Sequence, residues 1–125
     1  MHPKESMPLV SEDAELKFLL GVMTAKEVRG ISGVIDKGSN LIGSVTDGDI
    51  RRQLDKNEDI YSKSAKDIMT RNPKTIDQNE LAQKALFLMD QLTIQSLFVV
   101  DKSSEAPSQP IGILHLQDLL SLNIR

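Results

Sequence analysis

Two short segments of this chain carry residue types that could hold a phosphorylated ligand. In the first, Thr46 and Asp49 stand three residues apart, where an apolar run gives way to a helical pattern. The first N–H groups of a helix have no partner within it, and the helix dipole is positive there, so this junction suits a phosphate. A carboxylate at this place also offers two acceptor oxygens to two adjacent hydroxyl groups. The alternative is that Asp49 only caps the helix, and both roles are compatible.

The second segment repeats this spacing with a histidine. His115 stands where Thr46 stands in the first segment, and Asp118 corresponds to Asp49. Histidine can donate to a phosphate or change its charge near pH ~6.5, so this junction would bind differently or follow pH. We favour the alternative, a neutral histidine at a strand end, because a lone ionisable residue is weak support for a site. The two candidate sites are not equivalent.

Neighbouring charged residues suggest further chemistry. Arg51 and Arg52 could reach a phosphate through their planar guanidinium groups, although tandem arginines on a short surface helix are more often solvated. Asp47 and Asp49 suggest a metal pair, but Gly48 separates them and no third carboxylate or histidine is near, so we expect no metal. The sequence contains no Walker loop, dinucleotide-binding glycine motif or Ser/His/Asp arrangement, and we assign no catalytic residue.

Composition limits the classes of partner. The 125 residues are 39% hydrophobic and 26% charged, which is typical of one folded globular core. A net charge of −3 argues against nucleic acid, and 3% aromatic residues leave no stacking platform for a base. The absence of cysteine excludes disulfides and thiolate metal sites. No apolar run approaches the ~20 residues of a membrane span, so we expect no membrane partner and a cytoplasmic location.

The elements that position the candidate residues occur twice along the chain. Each copy has a segment that follows a proline, a helical stretch, an apolar strand, and a glycine-led strand that runs into a short helix. The first copy comprises PLV (8–10), a helix to Met23, SGVID (32–36) and GSVTDGDI (43–50). The second comprises PKTI (73–76), a helix to Met89, SLFVVD (96–101) and GILHLQDL (112–119). Length differences between the copies fall in connections, which absorb them.

Hydrophobic spacing assigns each element. Two sets of apolar residues at helical spacing predict amphipathic helices: Leu16, Leu19, Leu20 and Met23, and Leu81, Ala85, Leu88 and Met89. Buried strands are predicted at 33–36 and 97–101, their partner strands at 41–46 and 111–114, and short helices that begin at the aspartate at 49–54 and 118–122. Each unit therefore runs strand, helix, strand, strand, helix.

This repeat order resembles a tandem pair of cystathionine-beta-synthase (CBS) domains over nearly the whole chain. The specific features are DIMTRNPKTI (67–76) leading into a unit and the pattern Gly-x-x-Ser/Thr-x-x-Asp-Ile/Leu closing it. The resemblance implies an α+β fold of two β-α-β-β-α repeats with pseudo-twofold symmetry. It places the first repeat at 1–56, a linker at 57–64 and the second repeat at 65–125.

Four segments are most similar to the C-terminal half of bacterial arabinose-5-phosphate isomerases of the KpsF/GutQ type: PLVS (8–11), TDGDIRR (46–52), MTRNP (69–73) and LHLQDLL (114–120). Those enzymes carry an N-terminal sugar-isomerase (SIS) domain before the repeats, and we expect this chain to lack it. The resemblance implies a parent enzyme that interconverts ribulose 5-phosphate and arabinose 5-phosphate for 3-deoxy-octulosonate (Kdo), which is used in lipopolysaccharide or capsule. This chain alone is expected to be no enzyme.

The resemblance also implies binding roles. In CBS domains the aspartate grips the ribose diol of a nucleotide and the threonine contacts phosphate, with the base between the repeats. Matched positions extend the first site, with Thr46 and Asp49, to Met69, Thr70, Lys74, Ile94 and Gln95. They extend the second site, with His115 and Asp118, to Leu9, Arg29 and Gly30. Met69 and Ile94 are at least as well explained as core residues.

The expected function is regulatory binding of a nucleotide or sugar nucleotide, either an adenine nucleotide or a CMP-activated sugar that acts as feedback on the SIS domain. The alternative is a structural module that binds nothing and holds the parent's subunits together. CBS pairs usually associate into disk-like dimers, so we expect a homo-oligomer, with the stripe of Leu81, Ala85 and Leu88 as an uncovered face. We also expect Asp49→Asn to weaken binding with little loss of stability.

Overall fold

The computed structural model describes residues 2–3, 7–25, 30–56 and 59–121. Along the chain the elements are β1 (His2–Pro3), β2 (Leu9–Ser11), α1 (Leu16–Met23), β3 (Ile31–Ile35), β4 (Leu41–Thr46), α2 (Asp47–Asp55), a 3-10 turn (Ile60–Ser62), α3 (Ala65–Ile68), β5 (Thr70–Arg71), β6 (Thr75–Asp77), α4 (Ala82–Leu92), β7 (Ser96–Val100), β8 (Pro110–His115) and α5 (Leu116–Ser121). They form two compact units. The first unit is Pro8–Pro73, and the second combines Met1–Met7 with Lys74–Arg125.

The first unit is built on a four-stranded sheet in the order β2-β3-β4-β5. Strands β2 and β3 are parallel because α1 connects them as a crossover, whereas β3 and β4 form an antiparallel hairpin. In that hairpin Ile31 lies opposite Thr46, so the end of β4 is held beside the start of β3. The short strand β5 pairs antiparallel with β4, with Gly43 opposite Arg71 and Ser44 opposite Thr70.

The core of the first unit lies between this sheet and its helices. It comprises Val10, Leu16, Leu19, Met23, Val34, Val45, Ile60, Ala65 and Ile68, all buried. The helical stripe of Leu16, Leu19 and Met23 is therefore confirmed as the core-facing side of α1. Burial of these aliphatic side chains is the main stabilising term of the unit.

The second unit repeats the arrangement, with sheet order β6-β7-β8-β1. Its parallel pair is β6 and β7, and its hairpin is β7 and β8. Its core comprises Ile76, Ala85, Met89, Leu97, Val99 and Leu119. Pro3 of β1 lies opposite Gly112, as Arg71 of β5 lies opposite Gly43. The α+β class and the predicted strand-helix-strand-strand-helix order of each unit are confirmed.

Each sheet is completed by a strand that precedes the other repeat in sequence. The sequence-based division assigns residues 65–73 to the second repeat, yet Ala65 and Ile68 pack in the core of the first unit and β5 extends its sheet. Likewise β1, at the start of the chain, extends the sheet of the second unit. The segment that leads into each sequence repeat therefore packs in the unit formed by the other repeat.

Two details of the helices differ from the sequence-based prediction. Helix α2 begins at Asp47 and α5 at Leu116, both before the aspartate predicted to mark the start. The predicted open stripe is contradicted for Ala85, which is fully buried, and Leu88 is only partly exposed because it packs against the core of the second unit. Leu81 is 70% exposed but lies just before α4, as its N-cap.

Helix α3 is attached to the first unit by backbone and side-chain hydrogen bonds. The N–H groups of Ala65 and Lys66 donate to the carbonyls of Ala14 and Glu12 at 2.8 and 2.9 Å. Ser64 and Asp67 form a capping box, in which the Ser64 N–H donates to Asp67 Oδ2 at 2.9 Å. Hydrogen bonds from Ser64, chiefly from its backbone N–H, lower the pKa of Asp67 below 3.8. Its contribution to stability is therefore present above that pH and is lost as pH falls through the lowered pKa.

We predict that Gly43→Ala destabilises the first unit by about 1–3 kcal/mol, because the added methyl group would overpack the contact between β4 and the paired segment at β5. A Cβ on Gly43 would meet Met69 Sδ and would lie 2.9 Å from the backbone oxygen of Thr70. Gly21→Ala on α1 is the control, since a Cβ there meets nothing within 4 Å and alanine favours a helix. Urea unfolding measures both, and equal midpoints for the two variants would contradict the prediction.

Candidate ligand-binding site

The candidate site of the first unit lies where β4 runs into α2. Thr46 is the N-cap of α2, and its backbone is extended. Its Oγ1 accepts from the N–H of Asp49 at 3.4 Å, while Asp49 Oδ2 accepts from the N–H of Thr46 at 2.9 Å. This reciprocal pair is a capping box. The interpretation of Asp49 as the N-cap is therefore wrong by position, although Asp49 does contribute to the start of the helix.

The Asp49 carboxylate is the centre of a wider hydrogen-bond cluster. Among the described residues it accepts from Thr46 N at 2.9 Å, from Thr46 Oγ1 at 3.1 Å, from Thr70 Oγ1 at 2.7 Å, and from Arg52 Nη2. The residue is only 5% exposed. A buried carboxylate costs free energy unless it is paired and hydrogen-bonded, so these donors keep the charged form in place.

Arg52 bends back over the first turn of α2 to reach Asp49. Its guanidinium lies over Gly48, where a Cβ would be 3.5 Å from Nη1. The side chain is nevertheless 66% exposed, so the ion pair with Asp49 stands at the edge of the site and is open to solvent. Arg52 is thus solvent-exposed, as the sequence-based interpretation favoured, and it also makes an ion pair with Asp49 that was not predicted. The i,i+3 spacing of acid and arginine on a helix is the signal that points to this pair.

Strand β5 brings Thr70 to the Asp49 carboxylate, and Met69, the residue before this strand, lies next to Gly43 of β4. Thr70 is exposed, but its hydroxyl donates to the buried carboxylate. Met69 is half-buried and packs against the core of the first unit, as the core interpretation predicts. Hydrogen bonds therefore join three of the predicted site residues, Thr46, Asp49 and Thr70.

The second unit has a different junction. His115 ends β8, is buried, and has its Nδ1 2.8 Å from Ser96 Oγ, with the direction of this bond set by the tautomer. Ser96 lies opposite His115 in the hairpin and was not predicted to contact it. Only cross-strand register, which the sequence does not display, pairs them. Asp118 is half-buried in α5, a helix of six residues.

The other predicted site residues belong to separate units. Lys74, Ile94 and Gln95 lie in the second unit, where Lys74 and Gln95 are exposed and Ile94 packs on the core. Leu9 and Gly30 lie in the first unit. Their sharing of a site with residues of the opposite unit stays a prediction.

One residue of the second predicted set, Arg29, lies outside the described residues. Its neighbour Gly30 has a φ of +71° and lies against the Asp47 carboxylate, with no space for a Cβ. Sequence reasoning missed this contact, for which the glycine itself is the available signal.

Within the described part of the chain, neither a metal-binding cluster nor a membrane-spanning helix is present. No group of three or more His, Cys, Asp or Glu side chains there could hold a metal ion. No helix within the same residues is both long enough and apolar enough to span a bilayer.

Comparison with known proteins defines the class. The CBS domain family model matches residues 3–56 and 65–124. The fold of each unit and the Thr-x-x-Asp junction agree with that match. The chain belongs to the CBS domain family and contains a CBS pair.

The chain is also similar in sequence to two curated proteins. The chain is 39% identical over 124 residues to an uncharacterized protein of Rickettsia prowazekii, and 36% identical over 124 residues to arabinose 5-phosphate isomerase KdsD of Pseudomonas aeruginosa. In both cases the match covers 99% of this chain and 36% of the relative. The chain thus spans about a third of the length of the curated relatives it matches.

A solved structure supports the fold comparison. CBSX2 in complex with AMP is similar to this chain with a TM-score of 0.80 and 26% identity. The similarity covers 98% of this chain and 91% of that protein.

We predict that Asp49→Asn lowers the free energy of unfolding by about 1–3 kcal/mol, because the amide nitrogen cannot accept from the donors around the buried carboxylate. This replaces the sequence-based expectation of little loss. Asp47→Asn is the control, since it removes the same charge from an exposed position on the same helix. Urea unfolding compares them, and a loss no larger in Asp49→Asn than in Asp47→Asn would refute the structural role.

Proposed function

We propose that the chain is a regulatory module that binds a nucleotide at the start of α2. In this proposal Asp49 holds the ribose hydroxyls, and Thr46 holds the phosphate together with backbone N–H groups of the first turn of α2. The observation that carries it is a buried carboxylate at the N-terminus of a nine-residue helix, flanked by the hydroxyls of Thr46 and Thr70.

The ligand class follows from the groups at hand. A carboxylate beside a helix N-terminus is suited to a molecule that carries both a diol and a phosphate, which is the chemistry shared by ribonucleotides. The similarity to CBSX2, solved in complex with AMP, supports an adenine nucleotide. A CMP-activated sugar has the same ribose and phosphate and is the second candidate ligand.

The first unit is proposed as the working sensor. In the second unit His115 replaces the N-cap threonine, and its Nδ1 is already bonded to Ser96. We therefore expect Asp118 to contribute less to binding than Asp49.

The parent protein is proposed to be an arabinose-5-phosphate isomerase of the Kdo pathway. The support is the 36% identity to KdsD over a region that makes up 36% of that enzyme. In this proposal the chain is the regulatory part, without catalytic residues of its own, and its ligand acts on a separate SIS domain in the cytoplasm.

A structural module without a ligand is the rival function, and one observation favours it. Protein donors already occupy both oxygens of the Asp49 carboxylate, so the cluster is complete without a nucleotide. The two roles are distinguished by measuring whether the chain binds a ribonucleotide and whether removal of a ribose hydroxyl weakens that binding.

We predict that at least one ribonucleotide raises the melting temperature of the chain, because a ligand that binds only the folded state stabilises it by about 2.7 kcal/mol at a hundred times its Kd. A thermal-shift screen of AMP, ADP, ATP, CMP, CTP and a CMP-sugar identifies it. Calorimetry with its 2′-deoxy analogue should then give a roughly tenfold to hundredfold weaker Kd, the loss of one hydrogen bond to a charged group.

Variants of the two aspartates show which unit binds the ribonucleotide. Asp49→Asn should weaken binding strongly and Asp118→Asn should change it little. Equal affinity in wild type and Asp49→Asn would remove Asp49 from the site, and the absence of any shift in the screen would favour the structural module.

We also propose a homo-oligomer formed through exposed apolar residues. Phe18 is 62% exposed on α1 and borders a shallow surface pocket lined by Gly21, Val22 and Ala25. On α4, Phe87 is exposed as well. Burial of these side chains against a second copy of the chain would be favourable, and this supports the proposal.

We predict a dimer in sedimentation equilibrium, with a mass twice the 13.9 kDa of one chain. Phe18→Ser should shift the equilibrium toward monomer, whereas Tyr61→Ser, at another exposed aromatic, should not. A wild-type monomer at high concentration would count against the proposal.

A further inference from the structure

The Asp49 carboxylate has no acceptor position to spare for a ribose. A carboxylate has about four lone-pair sites. In the first unit these face the Thr46 N–H and hydroxyl at Oδ2, and the Arg52 guanidinium and Thr70 hydroxyl at Oδ1. A diol that binds this carboxylate must therefore displace at least one of these protein donors.

Arg52 is the donor that can leave at the lowest cost. The Thr46 N–H belongs to the capping box, and Thr70 is held by the pairing of β5 with β4. Arg52 reaches Asp49 through a side chain that is 66% exposed, so its release changes no backbone contact. The released guanidinium is solvated by water, and the carboxylate, whose side chain is 6% exposed, keeps its donors from Thr46 and Thr70.

The released guanidinium is already beside the place where a phosphate would bind. It lies over Gly48 in the first turn of α2, where a Cβ would be 3.5 Å from its Nη1 and 3.6 Å from Thr46 Oγ1. The absence of a side chain at Gly48 leaves room for it. A planar guanidinium matches the oxygens of a phosphate and can form two hydrogen bonds with it.

We propose that Arg52 is a selectivity switch that makes the first unit respond to phosphorylated ligands and reject nucleosides. Without ligand, Arg52 pairs with Asp49. When a nucleotide binds, its two ribose hydroxyls donate to the Asp49 carboxylate and its phosphate pairs with the Arg52 guanidinium. When a nucleoside binds, its hydroxyls displace Arg52 from Asp49, but no phosphate is present to pair with the arginine, so the nucleoside binds less tightly. This inference rests on the proposed nucleotide site at Asp49.

The second unit provides an internal comparison. Ser121 follows Asp118 by the same three positions that separate Arg52 from Asp49. Its hydroxyl donates to the backbone oxygen of Asp118 at 2.8 Å. The second unit has no arginine at this position, and the proposed switch belongs to the first unit.

Calorimetry on three proteins tests the switch: wild type, Arg52→Gln, and Arg51→Gln as the control, an exposed arginine on the same helix. Each is titrated with AMP, adenosine, CMP and cytidine. Arg52→Gln should strengthen nucleoside binding about threefold to tenfold, because the carboxylate is no longer ion-paired, and should weaken nucleotide binding about tenfold. The preference for nucleotide over nucleoside should therefore fall. Arg51→Gln should leave this preference unchanged.

Other outcomes separate the two proposals. If wild type binds a nucleotide and Arg52→Gln keeps the same preference, the switch is refuted while the proposed site stands. An equal fall in Arg51→Gln also refutes it, since the effect is then one of net charge. If no protein binds any of these four compounds or any nucleotide of the thermal-shift screen, the proposed site is refuted and the switch with it. Nucleoside binding that appears only in Arg52→Gln supports both proposals, whereas nucleotide binding that appears only in Arg52→Gln refutes the switch. Arg52→Lys, which keeps the charge without the planar fork, should retain more of the preference than Arg52→Gln.

Discussion

The hydrogen bonds of the buried Asp49 carboxylate are the constraint on which the candidate site and the adjoining edge of the sheet in the first unit depend. They connect the last residue of β4, the first turns of α2 and the strand β5, through Thr46, Arg52 and Thr70. A charge that is 5% exposed needs such partners, because water no longer solvates it. The close approach of β5 depends in turn on Gly43, which leaves space for the backbone of Thr70. The site and the edge of the sheet therefore stabilise each other.

This arrangement has a consequence for regulation. A ligand that uses Asp49 competes with intramolecular donors, so binding is coupled to the position of Arg52 and to the contact between β5 and α2. A ligand shifts such an equilibrium only by its difference in affinity for the two states. In the proposed mechanism, the free energy for signalling therefore comes from exchanging protein hydrogen bonds for ligand hydrogen bonds. The second unit, with His115 and Ser121 at the corresponding positions, has a different set of contacts.

Much of the fold could be predicted from the sequence because the same order of elements occurs twice along the chain. The stripe of Leu16, Leu19 and Met23 and the apolar strands were predicted because burial imposes a period on the sequence. Helix starts were less accurate, since Thr46 and Asp49 are both good residues for a first turn and only geometry shows which is the cap. The stripe on α4 failed for Ala85, because periodicity identifies an apolar face but does not say that it is already covered.

The sequence by itself determined the family, the order of elements in each unit, and the place of the Thr-x-x-Asp junction between a strand and a helix. These follow from patterns that are local along the chain. The tertiary structure alone decided which donors surround Asp49 and which leading strand completes each sheet. Thr70 is 21 residues from Asp49, and the pairing that brings them together is made by backbone groups that every residue carries. A contact of that kind leaves no residue-type pattern in the sequence, so its register appears only when the chain is folded.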